Sequence, residues 1–151
     1  MKIGLISDTH QFNPDRCEIP DWIKTAFNGV EMIIHAGDVE HTAYLTNLER
    51  IAPVYAVRGN CDSYELKTPV SRSIDIGCGL LTVAHRPNDA QRAVTERTKV
   101  VVYGHTHIST VSQEEDILVI NPGSPTLPRG GLPPSVAVLD TATMKAEIIY
   151  K

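Results

Sequence analysis

Seven side chains of three types follow short apolar runs: Asp8, His10, Asp38, Asn60, His85, His105 and His107. Carboxylate, imidazole and carboxamide are the nitrogen and oxygen donors that borderline-hard divalent cations take. Asp8-x-His10 can bring both groups to one ion from a tight loop, although a solvated loop carries the same pattern. In Gly37-Asp38 the glycine permits a close backbone approach. Asp38 can bridge two ions with its two oxygens, or cap the helix that follows it. In Gly59-Asn60-Cys61-Asp62 the Asn60 oxygen is a neutral hard ligand, and the same tetrapeptide suits an Asx turn. Gly104-His105-Thr106-His107 is the strongest segment. Its two imidazoles flank one residue, and an unpaired polar ring is costly to bury in a core. Taken together, the seven donors suit two divalent ions sharing Asp38. His35 lies inside an apolar run and reads as a core or supporting residue, whereas His41 opens a helix.

The elements that must position these groups are legible from periodicity. Lys2 to Ile6, Glu31 to His35 and Val54 to Val57 are short apolar runs that read as buried strands. Between them, residues 18–28 and Thr42 to Ile51 carry apolar spacings of three and four, the mark of helices. Strand–helix–strand–helix–strand favours a parallel sheet, whose ligands sit beyond the carboxyl ends of the strands. Asp8, Asp38 and Asn60 all fall there. The second half predicts a hairpin, Ser71–Ile76 and Leu80–Ala84, turned at Gly77-Cys78-Gly79. A helix from Pro87 to Arg97 and a strand from Lys99 to Tyr103 come next, then strands at 108–112, 116–120, 135–140 and 145–150. The expected fold class is α/β: two sheets face to face with helices outside, in one domain spanning residues 1–151.

Bulk properties narrow the function. Of 151 residues, 42% are hydrophobic and 21% charged, a globular composition. A net charge of -4, with no basic run, argues against a nucleic-acid scaffold. Cys17, Cys61 and Cys78 are an odd count with no CxxC pair, which argues against a thiolate zinc site and a disulfide framework. No segment suits a signal peptide or a membrane span, so a cytoplasmic protein is expected. The GxxxxGK[ST], GxGxxG, GxSxG, HExxH and HxHxDH patterns are absent.

In order and spacing, Asp8-x-His10, Gly37-Asp38, Gly59-Asn60, His85 and Gly104-His105-Thr106-His107 resemble the calcineurin-like metallophosphoesterases over essentially the whole chain. Gly59-Asn60-Cys61-Asp62 and Asn121-Pro122-Gly123-Ser124 look like the small prokaryotic phosphodiesterase subfamily. The resemblance implies a four-layer α/β/β/α double sandwich. It implies one ion held by Asp8, His10, Asp38 and His107 and another by Asp38, Asn60, His85 and His105. Manganese is the expected ion, with iron, zinc and nickel as alternatives. The implied reaction is in-line attack on phosphorus by a hydroxide bridging the ions, with Asp38, Asn60 and His85 as catalytic residues and a small phosphorylated substrate. A homodimer is among the assemblies that it allows. A retromer subunit shares the fold, so a protein-docking scaffold is the rival reading, although that subunit departs at several ligand positions.

Two departures bear on activity. Cys61 stands where many such phosphatases have a histidine as general acid, which favours diesters or activated esters; it is otherwise expected to be small, apolar and buried. His85-Arg86-Pro87 replaces the usual His-Gly-His, and Arg86 could lie in solvent or meet substrate phosphate. Arg58 and Arg129 are expected to be structural ion-pair partners, with substrate contact the lesser alternative, and Asn121–Ser124 a turn that buttresses the His105/His107 loop.

Overall fold

The computed structural model describes Met1–Lys151 as two five-stranded sheets packed face to face. The first contains β1 (Lys2–Ile6), β2 (Met32–His35), β3 (Val54–Ala56), β9 (Ser135–Asp140) and β10 (Lys145–Tyr150), in the order β10-β9-β1-β2-β3. Here β1, β2 and β3 run parallel, and the last two strands add antiparallel at the other edge. The second contains β4 (Ser71–Asp75), β5 (Leu80–Ala84), β6 (Thr98–Val102), β7 (Thr110–Glu114) and β8 (Ile117–Asn121), in the order β4-β5-β6-β8-β7. Its central strands β5, β6 and β8 are also mutually parallel. Helices α1 (Asp21–Ala26) and α2 (Thr42–Glu49) cover the outer face of the first sheet, and α3 (Pro87–Arg92) covers part of the second. The expected four layers are present.

Period-two alternation divides the apolar residues between layers. Ile3, Leu5, Ile34, Ala137 and Leu139 meet Leu81, Val83, Val100, Val102 and Ile120 between the sheets. Ile6, Ile33 and Val136 point the other way, onto Ile23, Phe27, Tyr44 and Leu48 of the helical layer. A sheet buried on both faces has strands that read as continuous apolar runs, which is why its strands are so plain in the sequence. The helices are shorter than their periodicity predicts. The first begins after Pro20, and its end leads to Gly29 at φ +78°. The third stops at Arg92, because the Thr98 hydroxyl accepts from the Thr95 N–H and ties the chain into a turn before β6.

The two parallel triplets end at one edge of the sandwich, where their loops interlock. The Asp8 N–H donates to the Gly37 carbonyl and the His10 N–H to the Asp38 carbonyl, at 2.9 and 3.0 Å. Within the second sheet the Gly104 N–H donates to the His85 carbonyl, and across the sheets the His105 N–H donates to Asp8 Oδ2, both at 2.9 Å. Gly104 is needed for this approach rather than for its own dihedral. A Cβ there would collide with the Ser7 hydroxyl and lie 2.7 Å from Asp8 Oδ2. Gly104→Ala is therefore expected to cost about 2 kcal/mol by overpacking, read as a lower urea midpoint. An unchanged midpoint would show that the loops can part without penalty.

Candidate metal centre

All seven predicted donors reach this edge. Asp8 follows β1, Asp38 follows β2, Asn60 follows β3, His85 follows β5, and His105 and His107 follow β6. Asp8, Asp38, His85 and His107 are buried, His10 and His105 are half-buried, and Asn60 is exposed. Three groups have donor atoms within 4.8 Å of one another: Asp8, His10 and His107; Asp8, Asp38 and His85; and His10, Asp38 and Cys61. Asp8 Oδ1 lies 3.3 Å from His107 Nε2 and 3.9 Å from both His10 Nε2 and His85 Nε2. Asp38 Oδ2 lies 3.2 Å from His85 Nε2 and 3.6 Å from His10 Nε2, so Asp38 stands between the two halves. Asn60 Oδ1 is 3.0 Å from His85 Nε2, and the His105 ring packs edge-on against His85 with centroids 5.2 Å apart. His105 has the loosest attachment of the four imidazoles.

The backbone turns these groups inward at a cost. Asp8, His10, Asp38, Glu40, His105 and His107 all have positive φ, between 47° and 73°. The three loops share one pattern, with residues i and i+2 left-handed. That region disfavours residues with a Cβ by about 1–2 kcal/mol each, and such conformations gather at functional sites.

Ring orientation is fixed from outside. The His107 Nδ1–H donates to the Leu127 carbonyl at 2.6 Å, and the His85 Nδ1–H to the Ala36 carbonyl at 2.7 Å. His10 Nδ1 meets Glu40 Oε2 at 3.1 Å. A neutral imidazole that donates from Nδ1 keeps its lone pair on Nε2. Three lone pairs are thus aimed at one region. Within it, Asp8 Oδ1 is fully buried without any hydrogen-bond partner, whereas Asp8 Oδ2 accepts from Ser7 and from the His105 N–H. Native proteins seldom leave a buried carboxylate oxygen unpaired, and a cation is the partner that this donor set suits. The residues present therefore fit divalent ions.

Charge effects follow the same geometry. Burial pushes the Asp8 carboxyl above its usual range, although His85, Ser7 and His107 pull it down. Burial also pushes Asp38 upward, but the His85 imidazole 3.2 Å away, the hydrogen bond from the Cys61 N–H and the His10 imidazole outweigh it and hold the carboxyl at about 2. Burial, His85 and Arg86 lower His105.

Several supporting residues escaped the sequence reading. The Asp62 carboxylate accepts from the backbone N–H groups of Asp38, Glu40 and Gly59 at 2.7–2.9 Å, so it clamps the second loop to the third. Its place in a motif was visible, but not its targets. Glu40, which orients His10, carried no signal beyond following Asp38 by two. The Asn121–Ser124 turn does buttress the site: Asn121 Nδ2 donates to the Gly104 carbonyl and Thr106 Oγ1, and the Ser124 hydroxyl to the Asp8 carbonyl. His35 is buried between Thr9 and the Gly37 N–H, and His41 caps α2 through the Ala43 N–H, as expected.

Two expectations fail. Cys61 is exposed, not buried, because its N–H must turn in to reach Asp38 Oδ1 at 2.8 Å. Partial burial and the nearby carboxylates Asp38, Glu40 and Asp62 push its thiol up to about 11. Arg58 and Arg129 form no ion pair: Arg58 lies over the Tyr64 ring, 4.5 Å from its centroid, and no carboxylate stands within 4.0 Å of either arginine.

Comparison with known proteins agrees with this geometry. Residues 1–144 match the calcineurin-like phosphoesterase superfamily domain. A probable metallophosphoesterase of Methanothermobacter thermautotrophicus is 42% identical over 161 aligned positions, covering 99% of this chain and 92% of the relative. A solved archaeal phosphodiesterase superposes with a TM-score of 0.81 at 29% identity, covering 99% of both chains. Vps29 of Chaetomium thermophilum shares the fold at a TM-score of 0.77 and 18% identity, over 99% of this chain and 93% of that one. With the motifs in order, the loops interlocked and the donors converging, the chain belongs to the calcineurin-like phosphoesterase family.

Proposed function

We propose that this protein is a dinuclear metal-dependent phosphoesterase that favours phosphodiesters or activated esters. Asp8, His10, Asp38 and His107 would hold one divalent ion, and Asp38, Asn60, His85 and His105 the other, with manganese the first candidate. The observation that carries this reading is the buried, unpartnered Asp8 Oδ1 facing three imidazole nitrogens. Bound ions supply an acidified water as nucleophile and positive charge for the phosphate oxygens.

The chain's own groups do the positioning. The Leu127 and Ala36 carbonyls and Glu40 hold three imidazoles in the tautomer that presents Nε2. Buried Asp8 and Asp38 keep solvent from one side of the centre. Asn60, at the exposed mouth, can turn its amide N–H toward a phosphate oxygen. Cys61 stands where an imidazole would protonate a departing alkoxide, so leaving groups that depart without a proton are favoured. The three free cysteines suit a reducing compartment such as the cytoplasm.

Protein incubated with manganese and freed of excess ion should carry close to two ions per chain. It should hydrolyse bis-p-nitrophenyl phosphate faster than p-nitrophenyl phosphate. Less than one ion per chain, with neither ester turned over, would favour the scaffold reading that the Vps29 likeness raises. Faster turnover of the monoester would overturn the diester preference alone.

A further inference from the structure

A hollow of about 320 Å³ opens beside the donors, and its lining includes Asn60 and His85 together with Arg58, Tyr64 and Arg86. The two arginines are its unusual feature. Neither guanidinium has a carboxylate within 4.0 Å or a hydrogen-bond partner in the protein. Arg97 and Arg92, by contrast, pair with Asp75 and Asp89. Arg58 is held over the Tyr64 ring, a contact that orients the guanidinium while leaving its N–H donors free. Arg86 is exposed at the start of α3 and shares a neighbouring hollow with His105.

The hollow also has two carboxylates, and neither neutralises this pair. Asp62 directs both oxygens to the backbone N–H groups of Asp38, Glu40 and Gly59. Asp89 lies 3.4 Å from Arg92. The chain as a whole is acidic, at -4, so two unspent guanidinium groups beside the donor cluster are not part of a general basic surface. Fork-shaped guanidinium groups suit phosphate oxygens.

We infer that Arg58 and Arg86 bind a second phosphate of the substrate, so that the natural ester is a bisphosphorylated molecule with one phosphate at the donor cluster and the other in this hollow. This rests on the phosphoesterase reading for the first phosphate. Tyr64, 82% exposed with Arg58 on one face, leaves its other face open to a planar ring such as a nucleobase.

Two reporter esters test it: thymidine 5′-(p-nitrophenyl phosphate) and the same compound with an added 3′-phosphate. In each, water oxygen bonds to phosphorus and p-nitrophenolate leaves, so the scissile chemistry is constant. Wild-type protein with manganese should prefer the 3′-phosphorylated ester by about ten-fold or more in kcat/KM. In Arg58→Ala/Arg86→Ala the ratio of the two values should fall to near one, whatever the overall rate. Arg86→Glu, at an exposed position that tolerates charge, should invert the ratio and guards against misfolding of the double variant. A second measurement needs no turnover. By titration calorimetry, thymidine 3′,5′-bisphosphate should bind wild type about ten-fold tighter than thymidine 5′-monophosphate, and the double variant should lose that advantage.

A wild-type protein without preference for the second phosphate, or a preference that survives both arginine replacements, overturns the inference. Absence of hydrolysis of either ester, with the bisphosphate advantage intact in calorimetry, instead sinks the phosphoesterase reading and leaves the arginine site standing.

Discussion

Asp38→Asn is expected to lower manganese-dependent diester hydrolysis by about 1,000-fold, roughly 4 kcal/mol of transition-state stabilisation, while the fold survives. Asp38 Oδ2 lies within 3.6 Å of both His85 Nε2 and His10 Nε2, between the two proposed ion positions. Asparagine keeps the shape and one acceptor oxygen, so the Cys61 N–H can still be met. What is lost is the negative charge that two cations would share. The loop should hold, because the Asp38 N–H donates to Asp62 and the Asp38 carbonyl accepts from His10. Steady-state kinetics, with metal content per chain measured on the same sample, decides the matter. Activity within ten-fold of wild type at full ion occupancy would remove Asp38 from the shared position.

The second large effect belongs to a residue outside the donor set. Asp62→Ala would strip the acceptor from three backbone N–H groups, those of Asp38, Glu40 and Gly59. Hydrogen bonds to a charged group contribute about 1.5–3 kcal/mol each. Asp62 is half-buried, so water can replace part of this. A net loss of roughly 3 kcal/mol in urea unfolding under chelator is expected. Kinetics should suffer as well, by about 100-fold in kcat/KM, because misplacing a reacting group costs rate even at a distance. Asp62→Asn, which retains one acceptor oxygen, should fall between. If Asp62→Ala loses stability but keeps full kcat and ion affinity, the residue is a fold element without a positioning role.

What the sequence made legible follows from where the apolar groups had to go. Strands buried on both faces, such as Leu5 and Ile6 in β1 or Val100 to Val102 in β6, leave continuous apolar runs with abrupt polar ends. Those ends are where the donors stand, so the convergence of Asp8, Asp38 and Asn60 could be inferred from a parallel sheet alone. The second sheet's parallel triplet was harder to see, because β7 and β8 pair as a hairpin while β8 pairs in parallel with β6.

The supporting groups were hidden for another reason. Glu40 and Asp62 act through loops whose left-handed residues are not glycine, and nothing in residue type announces a positive φ at aspartate or histidine. The Leu127 carbonyl that fixes His107 is backbone, 20 positions away, and leaves no mark in side-chain chemistry. Arg58, expected to be an ion-pair partner, has an acidic motif beside it in the chain. Asp62 is that motif's acid, and its oxygens were already taken by backbone donors.

The paired left-handed residues have a consequence for how such a protein can change over time. Histidine and aspartate at these positions hold the chain in conformations that glycine or asparagine would adopt with less strain. Replacement of His10, His105 or His107 by glycine or asparagine would therefore relax the backbone. A lineage released from catalysis can keep this sandwich, shed donors one by one and grow sturdier as it does so, arriving at an inert platform without crossing an unstable intermediate. Retaining all seven donors means forgoing that gain at each of these positions.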